Sequence, residues 1–251
     1  MLKSSQIDNL SINKENFKSF NHSFISPKGL TFAIRPLTIE NLEENSIEIT
    51  KCFRHEPLSQ TVDYDYELEV MRRIAKKSLK EQIGISCYEK TTGKWAGCLL
   101  SEDFSTSLSD PCNEYDGKYD FVIDFLSHLE TEGFKKLGLT QSQNKYEQIH
   151  INCVGVAKEF WGNKILNTMT KFYFCEHPIV KSSKIIFAET TNIHSRSAME
   201  AAGMKIVYSI NYSDLVQREE MKKYNVDYRE LLKNSNKSED EVGAFNCFVR
   251  I

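Results

Sequence analysis

No stretch of this chain approaches the roughly 20 consecutive apolar residues needed to cross a bilayer, so a membrane span is not expected. Net charge is also scarce: 32 Lys and Arg oppose 35 Asp and Glu, leaving -3 at pH 7. That balance gives no electrostatic footprint for nucleic acid or for an acidic membrane surface. Cysteine is present but unpatterned. Its seven copies (Cys52, Cys87, Cys98, Cys112, Cys153, Cys175 and Cys247) include no CxxC pair, and an odd number closes no disulfide framework. Several lie among apolar neighbours, as small core residues do, so a reducing, cytoplasmic compartment is expected. The opening residues, MLKSSQIDNLSINKENF, have neither the apolar core of a secretory signal nor the Arg-rich character of a transit peptide. There is no internal repeat, and the one biased tract, KNSNKSEDE, reads as solvated loop.

What is present is the composition of a soluble globular protein, 40% hydrophobic and 27% charged over 251 residues. The pattern predicts a polar N-terminal extension over residues 1–28, loose or draped on the surface, and a single domain over 29–251. Leu30–Leu37 alternates as a strand closed by Pro36. Thr38 is placed to cap a helix over Ile39–Cys52. A turn-rich segment, FRHEPLSQTVDYD, precedes a second helix from Tyr66 to about Lys80. QIGISCYEKTTGKWAGCLLSEDF reads as a hairpin around Thr91-Thr92-Gly93, Ser105–Tyr119 as loop, and FVIDFLSHLETEGFKKLG as an amphipathic helix. After the central segment come a strand from Lys205, a charged exposed insertion near residues 216–242, and a closing strand, GAFNCFVRI.

The central segment, Glu147–Met204, reads as strand, sharp turn, helix, strand, loop and helix. That order sets backbone N–H groups at a helix N-terminus, where phosphate binds. It also puts the hydroxyls of Thr191 and Ser195 beside the same cleft. The segment resembles the core of the GCN5-related N-acetyltransferases (GNATs), whose glycine-rich turn grips the pyrophosphate of acetyl-CoA. Here that turn falls within VGVAKEFWGNKIL, Val154 to Leu166. The family pattern is Arg or Gln, two residues, Gly, one residue, then Gly or Ala. This chain has Trp161, Lys164 and Leu166 at those positions, with Gly162 as a companion glycine. A β-carbon at Lys164 either crowds the phosphates or brings them a cation. Downstream, Asn192, Ser195, Ala198, Met199, Ala202, Gly203 and Met204 match the family's second motif, with Met199 where many members have a tyrosine as general acid.

Phe53-Arg54-His55-Glu56-Pro57-Leu58 resembles the F-x-x-E-P-L segment of invertebrate-type arylalkylamine N-acetyltransferases, where the glutamate is the proposed base. Two hydroxyls spaced four apart assist it there, and Thr191 and Ser195 stand at those positions. The resemblance covers residues 30–215 in patches. It implies a mixed α/β fold, a mostly antiparallel central sheet flanked by helices, with a splay between two central parallel strands. It also implies acetyl-CoA as co-substrate, no metal, and a small primary amine of arylalkylamine or polyamine type as acceptor. Glu56, Thr191, Ser195 and His150 are the implied catalytic set. Val154, Val156, Trp161, Gly162, Asn163, Lys164, Ile165 and Asn192 are the implied coenzyme contacts.

Each residue also has a plainer reading. Glu56 pairs with Arg54 or caps a helix, and Ser195 caps the helix it opens. His150 is a reserve base, matching one of two strand histidines in vertebrate arylalkylamine acetyltransferases with Asn152 for the other, or else a hydrogen-bonded structural histidine. At the level of the whole chain, the alternative is a degenerate GNAT fold that serves as a binding or structural subunit with a protein partner.

Overall fold

The computed structural model describes residues 20–109, 120–235 and 244–250. The expected loop tip at 110–119, Cys112, most of the N-terminal extension and the KNSNKSEDE tract from 236 onward lie outside the described residues. Among the described residues eight strands form one sheet in the order β1-β2-β3-β4-β5-β6-β8-β7. They are β1 (His22–Ile25), β2 (Thr31–Pro36), β3 (Ile85–Glu89), β4 (Trp95–Asp103), β5 (Gln148–Val156), β6 (Ile185–Thr190), β7 (Lys205–Asn211) and β8 (Ala244–Arg250). Among the described strands only β5 and β6 pair in parallel. Their ladder runs from Gln148–Ile185 to Ile151–Ala188, and β5 then continues alone to Val156. This is the expected splay. Beyond it one edge of β5 carries backbone N–H and C=O groups without a neighbouring strand.

On one face of the sheet lie α1 (Leu42–Phe53), α2 (Tyr64–Lys80) and α3 (Asp120–Leu137). The other face carries α4 (Ile165–Cys175) and α5 (Ile193–Ala201), whose Met169, Phe172 and Met199 join Leu99, Ile149, Ile151 and Ile186 in the main core. A register shift between Leu100 and Ser101 leaves Asn152 as an extra residue on β5. This bulge exchanges the faces of the strand. Ile149 and Ile151 pack under α4, whereas Cys153 packs with Ile49 and Met71 of the α1–α2 face.

Three expectations change. Part of the predicted tail, residues 22–25, is a sheet strand, and His22–Ile25 pairs with Thr31–Ile34. Helix α1 begins at Leu42, because Asn41 is its N-cap residue and the Asn41 Oδ1 instead accepts from the Thr38 N–H at 2.8 Å. The charged insertion also helps to cover the core. Short helices α6 (Tyr212–Val216), α7 (Glu219–Lys222) and α8 (Tyr228–Asn234) bury Leu215, Met221, Leu231 and Leu232 against Phe121 and Phe125 of α3. Their apolar residues were hidden by the surrounding charge. No helix among the described residues is long and apolar enough to cross a membrane.

Candidate active site

The segment after α1 is held by a buried carboxylate. Glu67 on α2 is fully buried, accepts a hydrogen bond from the Ser59 hydroxyl and pairs with Arg54 at 3.4 Å. The Arg54 guanidinium also donates to the carbonyls of Ser59 and Val62 at 2.6 and 2.7 Å. Burial raises the Glu67 carboxyl above its usual range, opposed by Ser59 and Arg54. Arg54 is thus committed to Glu67 and the backbone, and Glu56 projects from the turn it ties down. The Glu56 N–H donates to Phe53 O at 2.7 Å, and its side chain lines a cavity of about 760 Å³.

That cavity gathers most of the residues singled out from the sequence. Glu56, His150, Val154, Val156, Trp161, Gly162, Lys164, Ile165, Thr191, Asn192 and Ser195 all line it. Asn163 does not. It is 2% exposed, accepts from the Ser26 hydroxyl at 2.8 Å and donates to Phe160 O at 2.8 Å, so it ties the end of β1 to the turn. Its expected coenzyme contact is corrected to a structural one. Lys28, from the stretch predicted as tail, donates to Trp161 O at 2.9 Å over the same turn.

Lys164 occupies the left-handed region, φ 57 and ψ 24, as the N-cap residue of α4. The lysine at the pattern's glycine position thus takes the left-handed conformation that glycine adopts without strain. Its side chain is exposed, and the first turn of α4 leaves its N–H groups without intrahelical acceptors. The Trp161 indole donates to Val156 O at 3.0 Å, occupying one carbonyl at the end of β5. At α5 the cap is Asn192, not Ser195: Asn192 Oδ1 accepts from the N–H groups of His194 and Ser195 at 2.8 and 2.9 Å. The Ser195 hydroxyl donates to Asn192 O at 3.1 Å. Met199 is 1% exposed and lines the cavity from below as a core residue.

His150 Nδ1 lies 3.1 Å from Glu102 and Nε2 lies 2.7 Å from Glu189, each at hydrogen-bond distance. Its ring stacks on Phe187 with centroids 4.7 Å apart. Two carboxylates against both nitrogens overcome the burial that would neutralise the ring, and its pKa lies well above the usual range. With both ring nitrogens engaged by carboxylates, the geometry favours the structural reading of His150 over that of a reserve base. Burial works against ionisation of Glu102, but His150 and Lys77 hold its carboxyl down to about 2. Asn152 Nδ2 donates to the same Glu102 at 3.0 Å, on the same side as His150. Glu130 on α3 was not singled out in the sequence. Burial pushes its carboxyl up to about 7, with Glu189 and Glu102 adding to the rise and His150 opposing it. A glutamate on an amphipathic helix carries no sequence sign of such an environment. The cavity thiols are not nucleophiles, since burial pushes Cys52 up to about 12 and Cys153 still higher.

The sequence matches no protein-family model and no curated protein. Solved structures match it along nearly the whole chain. A mosquito protein named as arylalkylamine N-acetyltransferase 7, from Aedes aegypti, aligns with TM-score 0.69 at 13% identity, covering 94% of this chain and 96% of that one. The fold is that of the GCN5-related N-acetyltransferases. The C-terminal condensation domain of Ebony, solved with beta-alanyl-dopamine, aligns with TM-score 0.65 at 15% identity, covering 88% of this chain and 99% of that one. The Drosophila melanogaster polyamine N-acetyltransferase, which forms N-acetylagmatine, aligns with TM-score 0.58 at 11% identity over 87% and 99%. The unpaired end of β5 and the turn before α4 are the two segments of this fold named from the sequence. Both line one cavity with Glu56 and Ser195.

Proposed function

We propose that this chain is an acetyl-CoA-dependent N-acetyltransferase that acts on a small primary amine by direct attack in a ternary complex, in a reducing, cytoplasmic setting. The observation that carries the reading is a single cavity lined at once by Glu56, Thr191, Ser195, the free edge of β5 and the turn opening α4. When bound, acetyl-CoA supplies a thioester carbonyl beside that edge. Val154, Val156, Trp161, Gly162, Lys164, Ile165 and Asn192 would hold it, through backbone groups of the splay, the α4 N-terminus and the Lys164 cation.

Glu56 takes the proton that an ammonium substrate must lose before it can attack. Backbone N–H groups of the splayed strand and the Ser195 hydroxyl are the donors available to developing negative charge on the carbonyl oxygen. Thr191 flanks the same position. Neither Met199 nor a cysteine takes part in proton or acyl transfer. The amine nitrogen gains the acetyl group and the carbon–sulfur bond breaks; of the two protons the ammonium loses, the first passes to Glu56 and the second to the leaving thiolate.

A degenerate GNAT fold with a non-catalytic role is the second reading. The indole of Trp161 on Val156 O favours it, because one carbonyl of the splay is already engaged. Titration of the full chain with acetyl-CoA separates the two. A ligand bound only to the folded state raises the melting temperature, by the equivalent of about 2.7 kcal/mol at a hundredfold excess over Kd. No rise at millimolar acetyl-CoA overturns the enzyme.

A further inference from the structure

One carbonyl of the splay is engaged by the chain itself. Ala157 N–H donates to Ala96 O at 3.0 Å, so that residue faces β4. Neighbouring residues of an antiparallel ladder point their backbone groups to opposite sides, and Val156 therefore turns its N–H and C=O toward the splay. The ladder with β6 ends at Ile151–Ala188, well short of Val156. The Trp161 indole takes the place of a strand there, donating to Val156 O at 3.0 Å, and both residues line the cavity. Trp161 is 50% exposed, so its ring is not held as a core residue would be. The backbone beneath it is tied down. Trp161 N–H donates to Lys158 O at 3.2 Å, its carbonyl accepts from Lys28 at 2.9 Å, and buried Asn163 bonds to Ser26 and Phe160.

Resting on the acetyltransferase reading above, we propose that the Trp161 side chain is an autoinhibitory gate: its indole N–H occupies Val156 O in place of an amide of the coenzyme's pantetheine arm, and acetyl-CoA binds only when the ring rotates away. That arm is an extended chain with amide N–H donors, and an unpaired strand edge accepts such a chain as it would another strand. The ring lies beside the same edge, so ring and arm exclude each other. Rotation about the side-chain torsions frees the carbonyl without moving the turn, because the bonds that fix the turn belong to its backbone and to Asn163. The indole bond is solvent-exposed, and a bond of that kind shifts the closed-to-open ratio about fivefold to tenfold. The open form is then on the order of a tenth of the population, and the apparent coenzyme Kd is raised in proportion. The engaged carbonyl, which by itself suggests a degenerate site, becomes the reversible closure of a working one.

The test is calorimetric titration of the full chain and of Trp161→Phe with two probes: acetyl-CoA, and adenosine 3′,5′-bisphosphate, which has phosphates but no amide arm. Phenylalanine keeps an aromatic ring and removes the N–H. The variant is expected to bind acetyl-CoA about fivefold to tenfold more tightly and the bisphosphate with unchanged affinity. Unchanged or weaker acetyl-CoA binding in Trp161→Phe overturns the gate, and so does equal tightening toward both probes. A second measurement needs no variant. The chain has two tryptophans, and Trp95 is buried with its indole donating to Asn45 Oδ1 at 2.8 Å. By NMR the faster-exchanging indole N–H is expected to move upfield as acetyl-CoA is added, while that of Trp95 stays in place. A Trp161 signal unmoved at saturation overturns the gate. The two failures stay apart. Acetyl-CoA binding with an unmoved indole sinks only this inference, whereas no acetyl-CoA binding by either chain sinks the acetyltransferase reading itself.

Discussion

Glu56 and His150 are both ionisable residues in one cavity, and their neighbours give them opposite roles. Glu56 stands on a turn fixed by the Arg54–Glu67 pair and lines the cavity, where the proposed mechanism gives it the amine proton. His150 lies between Glu102 and Glu189, whose carboxylates raise its pKa against the burial that would lower it. Glu56→Gln is expected to lower kcat/KM about a hundredfold, most at low pH where free amine is scarce, with acetyl-CoA affinity nearly unchanged. A flat ratio of variant to wild type across pH would remove Glu56 from proton transfer. For His150, whose folded pKa is raised, the stabilisation is complete below its usual value and is lost only as pH climbs through the raised one. Its ring resonances are therefore expected to stay constant by NMR between about pH 6 and 8. A midpoint near the ordinary histidine value would show that the double clamp is absent in solution.

The turn that opens α4 is the element where sequence and structure pull apart. A lysine with φ 57 carries the strain that a glycine would not, on the order of 1 kcal/mol. Lys164→Gly is expected to stabilise the fold by about that amount and to weaken acetyl-CoA binding, because the exposed ammonium beside the turn is removed. Melting temperature and coenzyme Kd measured on the same variant decide it. Tighter binding in the glycine variant would mean that the side chain obstructs the phosphates. The neighbouring strand has a stricter need. A β-carbon at Gly155 would lie 2.4 Å from Ile49 Cδ1, so α1 approaches β5 closely only because that residue is glycine.

At the scale of the whole molecule, buried acids tie stability to pH. Glu130 keeps its proton up to about 7 in the folded state but loses it near 4.5 when unfolded, so the folded chain binds more protons across that window. Stability therefore falls as pH rises from 4.5 to 7 and levels off above it. Glu67 and Glu81, also raised by burial, act in the same direction. Glu102 acts oppositely: its carboxyl lies at about 2, so its stabilisation is present above the usual value and is lost as pH falls from 4.5 toward 2. Glu130→Gln is expected to flatten the decline of unfolding free energy between about pH 5 and 7, by about 2 kcal/mol in denaturant titrations. An unchanged slope would mean that Glu130 ionises normally.

The sequence by itself determined the strands and helices with strong periodicity, from Thr31–Pro36 to α5, and the splayed GNAT sheet that they form. It also singled out Glu56, Thr191 and Ser195, since short motifs around turns and caps are local and survive low overall identity. Tertiary structure alone decided the rest. The strand His22–Ile25 and helices α6–α8 gain order from partners distant in the chain, while their local composition is polar or charged. Asn163 and His150 look like site residues in one dimension, and only their contacts across the sheet make them structural. Glu130 is the reverse case. Its chemistry arises from burial beside two carboxylates and an imidazolium contributed by three strands, and that environment does not exist until the sheet has formed.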